Sequence, residues 1–475
     1  MGIGGSAVFY TLLIAWLALG LITAGHATMY KRDPRSAGLW VLISFALPLI
    51  GPWLYWVMGI NRVQRRAARI KGDRSRPFAV PERALAAHAA DIGHLGSLRR
   101  ATDRMTRLPL LPGNTIVPLH NGEQTYPAML SAIEAAERSV TLASYIFDWD
   151  EIGQRFCDAL ADAAKRGVYV HILLDGIGAL YSRSRVGRQL LKAGARVAPF
   201  YPLRFPWGRL RINLRNHRKI LVVDGRTGFT GGINISKRHL LESQDRSRVE
   251  DLHFLVTGPV VAEMQYIFAE DWLHAAEESL SGEAYFPRLT ETGPAICRGI
   301  AGGPDEDFEK IHWVVLAALT AAQHSVRIAT SYFIPTSALI LALSLAALRG
   351  VAVTLLLPSH LDLPALRWAV DAYLWQLVED GVRVVYRPEP FVHTKLMIVD
   401  ERWLFFGSAN LDPRSFRLNF EFNVEAYDAH LGGRMSKWLD GLADQSQPMT
   451  LEDLDARSIP RRLRDGFVKL FSPYL

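Results

Sequence analysis

One pattern, written twice, constrains this chain more than any other property. Residues 216–236 read NHRKILVVDGRTGFTGGINIS and set His217 and Lys219 two apart, followed by Asp224, Gly231, Gly232 and Asn234. Residues 392–411, VHTKLMIVDERWLFFGSANL, repeat it with His393, Lys395, Asp400, Gly407, Ser408 and Asn410. Side chains alternate between the faces of a strand, so a His and a Lys at i and i+2 point the same way. Such a pair offers a nucleophile or acid–base group beside a fixed cation, a combination suited to phosphate chemistry. A lone His-x-Lys in a strand is usually a surface accident. Two copies with the same spacing to Asp and Gly are not.

The surroundings of the motif are duplicated too, as internal repeats require. The first copy runs from SVTLASYIF (139–147) through a helical 150–166, GVYVHILLD (167–175), a helical 184–193 and GARVAPF (194–200) to the first motif. The second runs from SVRIATSYF (325–333) through 337–349, GVAVTLLLP (350–358), 363–380 and GVRVVYR (381–387) to the second. Short Val/Ile/Leu-rich strands alternating with helices predict an α/β protein with largely parallel sheets. The expected architecture is two repeated α-β-α sandwich domains, 113–290 and 291–475, packed face to face so that both motifs meet in one site.

Ahead of the repeats, 7–27 and 37–60 are apolar and free of charge, each close to the roughly 20 residues needed to cross a bilayer. No Lys or Arg precedes the first run, which excludes an ordinary secretory signal peptide. The expectation is a retained two-helix transmembrane hairpin over 1–60. Pro48 and Gly51-Pro52 interrupt the second run, which also permits a kinked or re-entrant hairpin, and Trp53, Tyr55 and Trp56 suit interface anchors. Lys31, Arg32 and Arg35 lie in the short connection, and Arg62, Arg65, Arg66, Arg69, Lys71, Arg74 and Arg76 follow the second run. The positive-inside rule places the repeats in the cytoplasm, making this a multi-pass inner-membrane protein. Residues 61–112 read as a basic juxtamembrane linker, either attracted to anionic lipid or serving as a topogenic charge run.

The net charge of +7 suits nucleic acid or an anionic membrane without choosing between them. The insertion 202–215, PLRFPWGRLRINLR, sets Trp207 beside Arg211 and Arg215 and fits a lipid headgroup region or a nucleic-acid backbone. Cys157 and Cys297 form no CxxC and carry no zinc signature, so both read as packing residues. His171, His239, His253, His312 and His360 show no metal spacing. Trp313, Trp368 and Trp375 sit on helical stretches where core packing is the default and a lipid-facing wall the alternative. The tail 459–475 carries Leu463, Phe467, Leu470 and Phe471 at helical spacing beside arginines. It suits a membrane-lying helix or a terminal helix docked on the domain.

The duplicated HxKxxxxDx6G[GS]xN resembles the phospholipase D superfamily. PLIGPWLYWVMGINR (48–62), YIFDWDEIG (145–153), INLRNHRK (212–219), FTGGINI (229–235) and RSFRLNFEFNVE (414–425) narrow the likeness to bacterial cardiolipin synthases. The resemblance implies that phosphatidyl is transferred from one phosphatidylglycerol to another through a phosphohistidine, without metal or cofactor. It makes His217 the nucleophile and His393 the general acid and then base, an order the repeat symmetry leaves open. Lys219, Lys395, Asn234, Ser408 and Asn410 would hold the phosphate. Asp251 and Glu421 would orient the histidines, and Asp224 and Asp400 would support the motif turns. The partners implied are phosphatidylglycerol and anionic membrane lipid, not nucleic acid. A hydrolytic phospholipase D, a broader transphosphatidylase and a membrane-bound nuclease are the alternatives.

Overall fold

Strands Ser139–Ser144 and Ser325–Ala329 begin the equivalent halves of the two repeats, and each leads into the same topology. In the first repeat Ser139–Ser144 pairs parallel with Tyr169–Asp175, which pairs parallel with Arg196–Phe200. In the second, Ser325–Ala329, Ala352–Pro358 and Arg383–Arg387 do the same. These observations come from a computed structural model that describes residues 3–31, 34–59, 92–176, 185–201, 214–243, 247–304, 307–361 and 363–470. Trp207, Arg211 and the basic run 61–91 lie outside the described residues.

Largely parallel sheets were expected, and parallel order holds for only part of each. The strand after each His-x-Lys, Ile220–Val223 or Leu396–Val399, joins antiparallel and turns back at once into Thr227–Gly231 or Trp403–Gly407. The turns explain this. Asp224 (φ 51°) with Gly225 (φ 61°), and Asp400 (φ 51°) with Glu401 (φ 54°), hold two successive left-handed residues, the geometry that reverses a twisted hairpin tightly.

Alternation along these strands serves two cores. Val222, Phe254, Ile398 and Phe406 turn inward to a core shared by both repeats, which also takes Met264 and Phe268 from helix Val261–Ala276 and Met435 and Leu439 from helix Ala429–Asp444. Phe254 and Phe406 stack there with ring centroids 3.8 Å apart. Leu221, Val223, Met397 and Val399 turn outward beneath each repeat's own outer helices.

The repeats are not separately closed. Strand Leu111–His120 pairs with Ala295–Gly302 of the second repeat at its start and with Leu252–Thr257 of the first thereafter. One hydrogen-bonded path therefore runs through both sheets.

The expected linker is folded from Ile92 onward. Helix Gly96–Met105 lays Leu98 into the second repeat's outer core, and His94 Nε2 lies 2.6 Å from Asp400. Arg298 supplies the reason. Its guanidinium is 1% exposed and bonds Glu425 (2.6 Å), Asp103 (2.8 Å) and Thr102 (2.7 Å), so the preceding segment must dock to satisfy it. Losing one partner of such a buried charge typically costs about 3–5 kcal/mol.

The N-terminal unit, Met1–Lys71, is separate from the body, Gly72–Leu475. Its helix Ile3–Tyr30 includes Phe9–Tyr30, 22 residues long and apolar enough to cross a membrane. The second apolar run is not one helix. It divides into Pro34–Ala46, Ile50–Leu54 and the π-helical turn Tyr55–Gly59, with Leu49 at φ 61° after the first. Pro48 lacks an N–H and its ring crowds the preceding turn, which breaks the ladder at that point. Among the described residues one helix therefore has spanning length, where two were expected.

Candidate active site

Two short strands bring the motifs together. Arg215–Asn216, just before His217, pairs parallel with Asn419–Phe420, just before Glu421. Phe391–Val392, just before His393, pairs parallel with Val249–Glu250, just before Asp251. Each motif histidine is thus hydrogen-bonded through its backbone to the other repeat: His217 N–H to Phe420 (2.9 Å) and His393 N–H to Glu250 (2.7 Å).

The side chains repeat this exchange. His217 Nδ1 lies 3.1 and 3.0 Å from the Glu421 oxygens, and His393 Nδ1 lies 2.8 Å from Asp251. Neither histidine takes the carboxylate that follows it in its own repeat. Both carboxylates are buried, while 12% of each imidazole stays exposed. An Nδ1–H donated to carboxylate leaves the lone pair of a neutral ring on Nε2.

Lys219 and Lys395 curl back to the carbonyls of His217 (2.9 Å) and His393 (2.5 Å). Lys219 also stands over the Tyr145 ring, 5.7 Å from its centroid, whereas Lys395 bonds Ser331 at 2.9 Å. Tyr145 and Ser331 occupy equivalent repeat positions, so the two cations are cushioned differently.

Burial and mutual charge set the protonation. Burial lowers Lys219 to about 8 and Lys395 to about 7, with Glu421 and Asp251 opposing the shift. Burial also lowers both histidines, although Glu421 partly restores His217. Burial raises Asp251 to about 6. Burial pushes Glu421 the same way, but His217, Lys219 and the Ser408 hydroxyl outweigh it and hold this carboxylate below its usual range. The charge of Lys219 bears on His393 and that of Lys395 on His217, so the motifs form one electrostatic unit.

Several expected contacts fall elsewhere. Ser408 was expected on the phosphate, yet its hydroxyl donates to Glu421 at 2.5 Å and is fully buried. The equivalent Gly232 has no room for a side chain, because a Cβ there would stand 2.2 Å from Asp251. Arg215 was expected at a headgroup or membrane surface. It is 2% exposed and pairs with Asp175 at 3.5 Å, so it cannot face lipid. Asp224 accepts the backbone N–H groups of Arg138 (2.7 Å) and Ser139 (2.9 Å), and Asp400 those of His324 (2.7 Å) and Ser325 (2.8 Å). These two aspartates fasten the hairpin turns to the first strand of each repeat. Asn234 and Asn410 are buried at the ends of their motifs; Asn234 accepts the Ile146 N–H at 3.2 Å.

Sequence reasoning missed three residues. Arg218, between His217 and Lys219, points away from them and bonds Asp271 (2.5 Å), the Glu421 carbonyl (3.0 Å) and the Gly302 carbonyl (3.2 Å). It clamps the strand that carries Glu421, and strand alternation was the available signal. His239 was noted only for its lack of metal spacing. It lies 3.7 Å from Asp251 and accepts the Asn234 N–H at 3.3 Å, and burial lowers it to about 3. Ser415, five residues after Asn410 as His239 is after Asn234, accepts the Asn410 N–H at 3.2 Å. Among the described residues no group of three or more His, Cys, Asp or Glu is placed to hold a metal ion.

Comparison with known proteins identifies the family. Residues 129–272 and 315–443 match the family described as cardiolipin synthase, PLD-like domain. A cardiolipin synthase of Geobacillus thermodenitrificans is 32% identical over 462 residues, covering 94% of this chain and 90% of that protein. Cardiolipin synthase A of Pseudomonas aeruginosa is 34% identical over 475 residues, covering 98% and 96%. The crystal structure of a phosphatidylserine synthase from Haemophilus influenzae superposes with a TM-score of 0.62 at 16% identity, over 80% of this chain and all of that one.

Proposed function

Because the chain belongs to the cardiolipin synthase family of phospholipase D-like proteins, we propose that it joins two phosphatidylglycerol molecules into cardiolipin and glycerol. The crossed pairing His217–Glu421 and His393–Asp251 carries the mechanistic part of this reading. It gives one site two imidazoles, each with Nδ1 engaged by a carboxylate, and two lysines.

In the first half-reaction Nε2 of His217 attacks phosphorus, and the bond to the glycerol headgroup breaks. His393 delivers the proton that the leaving glycerol oxygen needs. In the second half a hydroxyl of another phosphatidylglycerol gives its proton to His393 and attacks the phosphohistidine, which frees His217. Splitting the displacement in two lowers each barrier. The phosphoryl oxygens gain charge during attack, and Lys219 and Lys395 supply fixed cations at that point. The anionic diester also favours protonation of His393, whose own surroundings disfavour it.

Membrane placement follows the same reading. Ile3–Tyr30 anchors the chain, the broken segment 34–59 returns or crosses beside it, and the body lies on the cytoplasmic side. Phosphatidylglycerol and the anionic bilayer are the partners, and no metal takes part.

The test is product analysis. Purified full-length protein in phosphatidylglycerol micelles is expected to yield cardiolipin and glycerol, at a rate unchanged by EDTA. Phosphatidic acid as the main product would make it a hydrolase. Loss of activity in EDTA, restored by Mg²⁺, would overturn the metal-independent route.

The pH profile is a second check. The lysines act as cations, so lowering their pKa brings their loss into the neutral range as pH rises. With Lys395 at about 7 and Lys219 at about 8, kcat/KM is expected to fall as pH rises through 7 to 8. It also falls below about 6, where Asp251 takes a proton. Bound diester raises both lysines, so the alkaline limb of kcat lies at higher pH than that of kcat/KM. Coincident limbs would count against lysines facing the phosphate.

A further inference from the structure

The terminal helix Ile459–Lys469 is docked the wrong way round for a water-soluble protein. Asp465 and Lys469 face the body, while Arg461, Arg462 and Arg464 stay exposed. Asp465 is 1% exposed and bonds Arg457 (3.1 Å) and Arg464 (2.7 Å), and Lys469 donates to the Ala372 carbonyl at 3.2 Å. Arg464 lies over Trp368 and Lys469 over Tyr373, each 4.1 Å from the ring centroid, which fixes the helix to Pro364–Glu379. Ile459, Leu463, Phe467 and Leu470, one stripe at helical spacing, are 72, 68, 63 and 71% exposed.

The stripe has neighbours of the same kind. Helices Lys310–Ala321, Ser337–Leu348 and Pro364–Glu379 lie side by side over the outer core of the second repeat, and the terminal helix continues that row. Trp313, Leu341, Leu345, Leu348 and Trp375 are exposed on them, where core packing was the default for both tryptophans and a lipid-facing wall the alternative. The fold alone does not require this. Glu151–Lys165 occupies the position of Ser337–Leu348 in the first repeat and exposes Glu151, Arg155, Asp158, Asp162 and Lys165. Ser337–Leu348, SALILALSLAAL, carries no charge. One sequence position in the repeat has become solvent-facing and its twin apolar.

We propose that this outer helical face of the second repeat, with the terminal helix at its end, lies on a bilayer surface containing anionic lipid. Arg461 and Arg462 are exposed beside the stripe, and cations around an apolar face suit anionic headgroups. A second copy of the same face would bring these arginines toward one another. The choice of lipid over protein rests on the proposed function, which already requires the body to reach bilayer phosphatidylglycerol.

The experiment uses the full chain in vesicles of phosphatidylglycerol and phosphatidylcholine. Both native cysteines are fully buried, so Leu463→Cys and Leu191→Cys can each take an environment-sensitive fluorophore. Leu191 is 56% exposed on the first repeat and serves as the control. The label at 463 is expected to shift to the blue and to be quenched several-fold more by brominated lipid than the label at 191. Equal, water-like signals would overturn the inference. A blue shift that rises with protein density but ignores brominated lipid would assign the face to a second copy instead. Leu463→Glu with Leu470→Glu is expected to raise the apparent KM on vesicles about tenfold while leaving kcat in detergent micelles unchanged; unchanged vesicle kinetics would also overturn it. Cardiolipin formation without quenching would sink this surface alone, whereas quenching without cardiolipin would sink the enzymatic reading alone.

Discussion

Replacing His217 by alanine is expected to lower kcat/KM for cardiolipin formation by about 10⁴ to 10⁶-fold, the scale on which removing a nucleophile from a catalytic unit acts. His393→Ala is expected to fall comparably on phosphatidylglycerol, so the two substitutions look alike in steady-state assays. The leaving group separates them. Glycerol leaves as an alkoxide unless His393 gives it a proton, whereas a nitrophenolate ester of phosphatidic acid needs no such help. On that substrate His393→Ala should still release about one nitrophenolate per site in a burst and retain a phosphorylated His217. His217→Ala should show neither. A burst surviving in His217→Ala but absent in His393→Ala would reverse the roles. Both imidazoles are partly exposed and each bonds one carboxylate, so the melting temperatures of the variants check that the fold has survived.

The order of the roles was not legible in the sequence, because each repeat supplies the same groups. The surroundings of the two histidines differ. Glu421 is held ionised beside Ser408, while Asp251 is raised by burial beside Gly232 and His239. A serine at 232 would collide with Asp251, so the shorter carboxylate and the glycine belong together. The Gly232 and Ser408 difference was visible in the sequence, but its meaning required the carboxylate opposite each.

Strand alternation and repeat spacing were enough to place the α/β layers and to put His and Lys on one face. They could not show that the sheets join through Leu111–His120, since that strand falls outside both duplicated stretches. Nor could they show the docking of Gly96–Met105, whose basic surface hides Leu98 and the partners of Arg298. The antiparallel return after the first motif had a local signal in Asp224-Gly225, a hairpin dipeptide, whereas the second turn carries Asp400-Glu401 and gave none. The second apolar run had one in Pro48, and the helix breaks there.

The crossing of the carboxylates makes the sharpest demand. Glu421 follows His393 in the chain but touches His217, and Asp251 follows His217 but touches His393. Glu421→Gln is therefore expected to reproduce the His217 phenotype, losing the nitrophenolate burst by about 10³ to 10⁴-fold, the scale of a misplaced tautomer in a catalytic triad. The two Glu421 oxygens accept from His217, from Ser408 (2.5 Å) and from Asn419 (3.1 Å). An amide at that place sets an N–H against one of these donors and favours a His217 ring with its proton on Nε2, where the attacking lone pair must be. Asp251→Asn is expected to keep the burst and to lose transfer from phosphatidylglycerol, as His393→Ala does. Pairing within each repeat would exchange the two outcomes: Asp251→Asn would abolish the burst and Glu421→Gln would spare it. Burst amplitudes of the two variants, measured side by side on the activated ester, decide which carboxylate serves which imidazole.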